Sequence, residues 1–283
     1  MCGRLACSLD PEEIHNSCTI TKSSKTIKPK WKNDSGYTYK PFYNGPPTTV
    51  VPVLTFQPEL NQKDVEESLS LVPMKWGFTP SFEVNPQALA HTHNCRLENV
   101  LKSSLYRDSL NSKKRCVVVA EGFYEWQTAS GPDQKQPFFI YQGVESKNVH
   151  SNKKHLMHMA GLWTIKNTDE GQKYSCTILT MESDDSLNWL HHRMPIILNT
   201  DQEILTWLDF KRFNNDEALK IVSEPFNKRS GSEFKLKSYT VNKKFVNKST
   251  CNEKECMVKF DVKRPNTLDS WLKPAKKAKM ESV

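Results

Sequence analysis

The sequence opens Met1-Cys2-Gly3-Arg4, and Cys2 holds the most distinctive chemistry in it. Methionine aminopeptidases remove a methionine when the next side chain is small, and cysteine qualifies. Removal leaves an α-amine and a thiol on adjacent carbons of Cys2, a 1,2-aminothiol. With an aldehyde, the amine forms a Schiff base and the thiol then closes a five-membered thiazolidine. An internal cysteine cannot do this, because its nitrogen is an amide. An α-amine titrates at about pH 7.7–8.0, so roughly a tenth or more is neutral at pH 7, far more than of a lysine at about 10.4.

Three other segments could assist such a group. In His93-Asn94-Cys95-Arg96-Leu97-Glu98-Asn99 an amide, a guanidinium and a carboxylate alternate. In extended chain Asn94, Arg96 and Glu98 share one face, as a polar site or as a solvated edge. In Arg115–Trp126 an apolar strand runs into an acidic, aromatic corner, with Glu125 between Tyr124 and Trp126. A carboxylate desolvated by aromatics is held protonated and suits proton transfer near neutrality, unless Glu125 merely partners Arg115 or Arg96. In Trp189–Leu198, His191 is a neutral-pH proton carrier and Arg193 can fork onto a phosphate, although adjacent histidines also cap helix ends. Trp76 and the Tyr43-Asn44-Gly45-Pro46-Pro47 turn offer stacking surfaces for unpaired bases; the plain alternative for Trp76 is the core.

Positioning these segments takes a sheet. Strand-like runs recur at Val50–Thr55, Leu69–Trp76, Cys116–Ala120, Phe138–Tyr141, Met157–Trp163, Ser175–Met181 and Met194–Leu198. Helical spacing is confined to Asn99–Leu110, to Asp201–Asp209 behind a Thr200/Glu203 capping box, and to Asp216–Ser223. Many strands and few helices predict an α+β fold with a mixed, largely antiparallel, barrel-like β core and flanking helices. Lys- and Ser-rich Thr21–Lys40 and Val144–Lys154 read as surface loops.

The 283 residues allow one large domain, expected over 1–245, with a polar, basic and disordered tail over 246–283. A net charge of +8 favours an anionic partner. No apolar run reaches the ~20 residues that span a bilayer, and no signal-peptide core follows Met1, so the expected compartment is cytosolic or nuclear. Eight scattered cysteines without a CxxC pair imply reduced thiols and no metal site.

Taken in order, Met1–Arg4, Tyr43–Pro46, Met74–Phe78, Asn94–Glu98, Glu121–Trp126, Gly161–Trp163, His191–Leu198 and Val241-Asn242 resemble the SRAP family (SOS response-associated peptidases) over about residues 2–245. The resemblance implies a single-turnover enzyme that loses Met1 by autoprocessing. It then crosslinks Cys2 to abasic sites in single-stranded DNA as a thiazolidine and shields the strand. It implies catalytic roles for Cys2, Asn94, Glu125 and His191, and DNA contacts by Arg4, Asn44, Trp76, Arg96, Trp126 and Arg193. It implies no cofactor, a monomer, and a place in the nucleus at replication forks. Two other readings of the same residues are a noncovalent reader of modified bases such as 5-hydroxymethylcytosine and an N-terminal-nucleophile peptidase. In the tail, Lys263-Arg264 and Lys273–Lys279 resemble a bipartite import signal. Leu268-Asp269-Ser270-Trp271-Leu272 between them resembles a degenerate motif for the PCNA sliding clamp.

Overall fold

A computed structural model describes residues 2–22, 24–56, 69–80, 91–127, 135–144, 156–229 and 234–261. Its strands are β1 (Leu5–Cys7), β2 (Ile20–Lys22), β3 (Lys25–Ile27), β4 (Lys30–Trp31), β5 (Phe42–Gly45), β6 (Val50–Phe56), β7 (Leu69–Trp76) and β8 (Asn94–Arg96). They continue with β9 (Arg115–Ala120), β10 (Gly122–Gln127), β11 (Gln136–Val144), β12 (Met157–Thr168), β13 (Gly171–Glu182), β14 (Arg193–Pro195), β15 (Ile197–Leu198) and β16 (Phe234–Thr240).

Strands β13, β12, β9, β6 and β7 pair antiparallel in that order, and β7 returns to β13 through a short parallel seam, Ser175 opposite Lys75 and Cys176 opposite Trp76. An odd number of strands cannot close with every neighbour antiparallel, so one parallel seam is obligatory. The result is the mixed, mostly antiparallel barrel expected from the strand count. Closure also explains the continuous apolar runs. Leu71 and Val72, and Val117 through Val119, are fully buried on both faces. One face fills the barrel, and the other is covered, in part by the helix Asp201–Leu208, whose Trp207 indole donates to the Cys116 carbonyl at 2.8 Å.

Beyond Gly161 and Ile178, β12 and β13 part, and the segment Arg193–Leu198 enters between them. Strand β14 pairs with β13 and β15 with β12. A Cβ at Gly161 would run into the Thr177 carbonyl, so the pair can hold this close approach only with glycine there. Strand β8 lies parallel to β13, Ile178 opposite Asn94 and Thr180 opposite Arg96. Strand β13 thus carries the segments of Asn94 and of His191.

A second sheet, ordered β16-β11-β10-β1-β5, holds β1 as an interior strand. The expected helices form with shifted ends. Ser104–Asn111 follows a 3-10 turn at Leu97–Asn99, and the third spans Asn215–Ser223 behind a reciprocal Asn214/Glu217 box. Thr200 caps Asp201–Leu208, but the Glu203 carboxylate turns to the Asn199 amide and to Arg229 instead of closing the box. The helix Pro11–Ser17 was not anticipated, although Asp10 and Glu13 form a capping box around Pro11. Thr21–Lys40, expected as a loop, contains the ribbon β2–β3 and the short β4. Most of the Val144–Lys154 loop lies outside the described residues.

The folded chain runs on past the expected boundary at 245. Residues 246–261 lie against the second sheet as a clasp. Asn44 Nδ2 donates to the carbonyls of Val246, Lys248 and Cys251 at 3.3, 3.1 and 3.1 Å. The Tyr43 amide donates to Asn252 Oδ1 at 2.7 Å, the Tyr239 hydroxyl to the Met257 carbonyl at 2.7 Å, and the Phe260 amide to the Thr240 carbonyl at 2.8 Å. Many of these bonds end on main-chain groups, which explains why a polar composition was misread as a tail. The import-like clusters and the Leu268–Leu272 motif lie outside the described residues.

Candidate active site around Cys2

Strand β1 pairs with β10 at Leu5–Phe123 and Ala6–Gly122, and the Tyr124 amide donates to the Arg4 carbonyl at 2.9 Å. The same register sets Glu125 opposite Gly3, beside Cys2. Cys2 is buried, and Asn94 Nδ2 on β8 donates to its carbonyl at 2.5 Å. Asn94 Oδ1 is buried with no hydrogen-bond partner among the described residues, an acceptor held ready within the site.

Glu125 is also buried, and its Oε1 accepts from the Trp126 amide at 3.2 Å. Burial, then the negative charge of Glu125, push the Cys2 thiol well above its ordinary value. The thiol therefore stays protonated at neutral pH, and its proton must be moved when it reacts. His191 is half-buried, and burial lowers its pKa while the charge of Glu125 opposes the drop. A lowered histidine is a neutral base at pH 7. His191 Nδ1 lies 3.1 Å from the Arg193 carbonyl; a neutral ring that carries its proton on Nδ1 donates it there and leaves Nε2 free to accept a proton. Glu125 is thus in electrostatic reach of both Cys2 and His191, and the four residues expected to share a site converge from β8, β10, the β14 entry and the start of β1.

The expected DNA contacts divide. Arg96 is exposed and lines a pocket of about 410 Å³ with Glu182, Asn188 and His192. Trp126 is half-buried at the surface, its indole donating to Asn247 Oδ1 at 2.8 Å. Arg4 stacks its guanidinium over Trp126 at 5.7 Å and donates to Asn44 Oδ1 at 2.8 Å and to the Val246 carbonyl at 3.0 Å. Asn44 is fully engaged with Arg4 and the clasp and is buried. Asn44 therefore secures the clasp, and Arg4 joins it through a single guanidinium nitrogen. Trp76 is fully buried, donates to the His93 carbonyl at 2.8 Å and meets the His93 ring edge-on at 5.4 Å. A base cannot stack there; the barrel seam claims the ring. Arg193 is buried and forks onto Glu98 at 2.8 and 3.1 Å, with Thr180 O at 2.8 Å, so a carboxylate occupies the fork expected to take a phosphate. The expected common face of Asn94, Arg96 and Glu98 ends with the strand at Arg96, where the 3-10 turn swings Glu98 to Arg193.

Sequence reasoning missed the aromatic pair at the site's edge. Phe138 stands opposite Glu125 on β11, and Trp189 meets its ring edge-on at 5.1 Å. The signal was a tryptophan two positions before His191, beside two leucines that a turn of this length can bury.

The family described as SOS response associated peptidase (SRAP) matches residues 1–249. The abasic site processing protein HMCES of Xenopus tropicalis is 35% identical over 272 residues, covering 91% of this chain and 78% of that protein. The abasic site processing protein YMR114C of Saccharomyces cerevisiae is 29% identical over 214 residues, 74% of this chain and 52% of that one. A crystal structure of a protein from Bacteroides thetaiotaomicron shares the fold with a TM-score of 0.64 at 18% identity, covering 92% of this chain and 100% of that one.

Proposed function

The chain belongs to the SOS response associated peptidase (SRAP) family, and from that membership we propose that it captures abasic sites in single-stranded DNA through a covalent bond to Cys2. Loss of Met1 by autoprocessing frees the Cys2 amine. The amine attacks the C1′ aldehyde of the ring-opened sugar, and the carbinolamine loses one water to give an imine. The thiol adds to the imine carbon, a C–S bond forms, and the thiol proton ends on nitrogen. Amine, thiol and aldehyde thus become a thiazolidine plus one water. Neutral His191 takes the thiol proton, Glu125 stabilises the imidazolium, and Asn94 holds the Cys2 main chain for ring closure. Consuming the aldehyde prevents β-elimination, so the strand is shielded. The crosslink is the end product of a single turnover.

One observation carries this reading: the Cys2 carbonyl is held by Asn94 at 2.5 Å beside a carboxylate that acts on both the Cys2 thiol and His191. The names of the relatives support it. Denaturing electrophoresis of the chain with an abasic oligonucleotide tests it. A shifted, denaturation-resistant band is expected, and none with a tetrahydrofuran analogue that lacks the aldehyde. Binding that survives only under native conditions would leave a modified-base reader, and turnover of a protein substrate by Cys2 would leave a peptidase.

The same reading has the protein acting as a monomer in the nucleus, at replication forks. The tail 262–283 supplies the import signal, and the motif Leu268–Leu272 docks on the PCNA sliding clamp. Calorimetric titration of a peptide covering 261–283 into the clamp tests the docking, with Trp271→Ala as control. No heat from either peptide would remove the clamp.

A further inference from the structure

Trp189 is 46% exposed. A lone exposed hydrophobic side chain signals nothing, but three facts distinguish this one. Its turn is rigid: Asp184 accepts from the amides of Ser186 at 3.0 Å and Asn227 at 2.7 Å, and the His191 amide donates to the Leu187 carbonyl at 3.1 Å. Leu187 and Leu190 anchor the turn in the core, which leaves the indole outside by construction. The ring is also backed, edge-on, by Phe138 at 82°, and its N–H donates to the Ser186 carbonyl at 3.3 Å. Finally, its neighbours belong to the site. Phe138 is the cross-strand partner of Glu125, His191 follows two residues on, and Asn188 lines the pocket of exposed Arg96.

We infer that Trp189 is a stacking platform for the nucleobase next to the captured abasic nucleotide. This rests on the reading of Cys2 given above. A strand whose lesion lies at Cys2 and whose phosphate meets Arg96 brings an adjacent base to an aromatic face that is already ordered, so stacking costs little further entropy. The contact is tolerant of sequence, because every base has a π-face. The platform therefore serves binding and orientation and does not select a sequence context.

The test uses the full chain and oligonucleotides whose central tetrahydrofuran nucleotide cannot react, so that binding is read apart from capture. In one series the flanking nucleotides carry bases; in others the 5′ or the 3′ neighbour is a second tetrahydrofuran. Trp189→Ala is expected to weaken binding of the fully based oligonucleotide roughly 5- to 100-fold. Trp189→Phe should recover most of that loss, and the melting temperature should not move. With the neighbouring base removed on the correct side, wild type and Trp189→Ala should bind alike. A loss that persists on both base-free oligonucleotides, or no loss on any, would overturn the platform. If wild type binds these oligonucleotides but never crosslinks an aldehyde-bearing one, the capture reading fails while the platform stands or falls on the binding series.

Discussion

Asn94 holds the carbonyl of Cys2 at 2.5 Å across 92 residues of chain. That bond ties the outer flank of β13 to the start of β1, so the geometry of the reacting residue depends on both sheets. Asn94→Ala removes the donor and should slow crosslinking roughly 3- to 10-fold. Asn94→Asp should slow it more, because it sets an acceptor against the carbonyl and a charge near Glu125. Single-turnover rates on denaturing gels decide, and wild-type rates for both variants would remove Asn94 from the mechanism.

Cys2→Ser should keep single-stranded DNA binding and lose the stable adduct. A hydroxyl closes an oxazolidine poorly, and the imine left behind hydrolyses. A denaturation-resistant complex at wild-type yield would contradict ring closure by sulfur. Mass spectrometry of active protein should show Cys2 at the amino end, since a retained methionine keeps the nitrogen an amide.

Stability should fall with acid in a defined window. His158 is pushed down to about 4 by burial, and His93 to about 4 by burial with the charges of His91 and the amino terminus adding. Unfolding returns both to their ordinary 6.5. Between pH 6.5 and 4 the unfolded chain binds more protons, so stability is fully present above this window and is lost as pH drops through it. Urea midpoints measured across the window should decline, and His158→Gln should remove about half of the slope. A flat profile in wild type would mean that neither ring is held neutral by the fold.

Arg96 and Arg193 should separate. Arg96→Ala should flatten the dependence of log affinity on log salt by about 0.7, the value for one phosphate on a single strand. Arg193→Ala should leave that slope unchanged and lower stability, by about 1–3 kcal/mol, because it removes the buried bond to the Thr180 carbonyl and the fork onto a half-exposed Glu98. The reverse pattern would show that the Glu98 fork opens to DNA.

The clasp can be tested by truncation. A chain ending at 261 should melt and crosslink like the full protein. One ending at 245 should lose both, because it strips Arg4 and Asn44 of their carbonyl partners. Equal behaviour of the two would return residues 246–261 to the role of a tail.

The strands of the barrel were legible in the sequence because each reads as a continuous apolar or alternating run, and so was the helix capped by Thr200. Cys2, Asn94, Glu125 and His191 were singled out by residue type and by the family resemblance, and the fold sets their segments side by side. Surface roles were less so. Composition cannot say that a closed barrel buries both faces of β7, and that closure takes Trp76 away from solvent. It cannot say that Arg193 finds Glu98 across 95 residues, or that the polar stretch after 245 is held by carbonyls. The helix at Pro11 carries its signal in Asp10 and Glu13, but at 7 residues it has too few turns for an apolar period to show.

The Arg4–Val246 bond spans 242 residues of chain. Translation adds about 5–20 residues per second, so roughly 10–50 s pass between the synthesis of its two ends. Through that interval β1 lacks β10 for the first half and the clasp to the end. The reactive end of the chain is thus among the earliest segments made and the latest to be locked in place. The outermost bond of that end is therefore made only when nearly the whole chain has been synthesised.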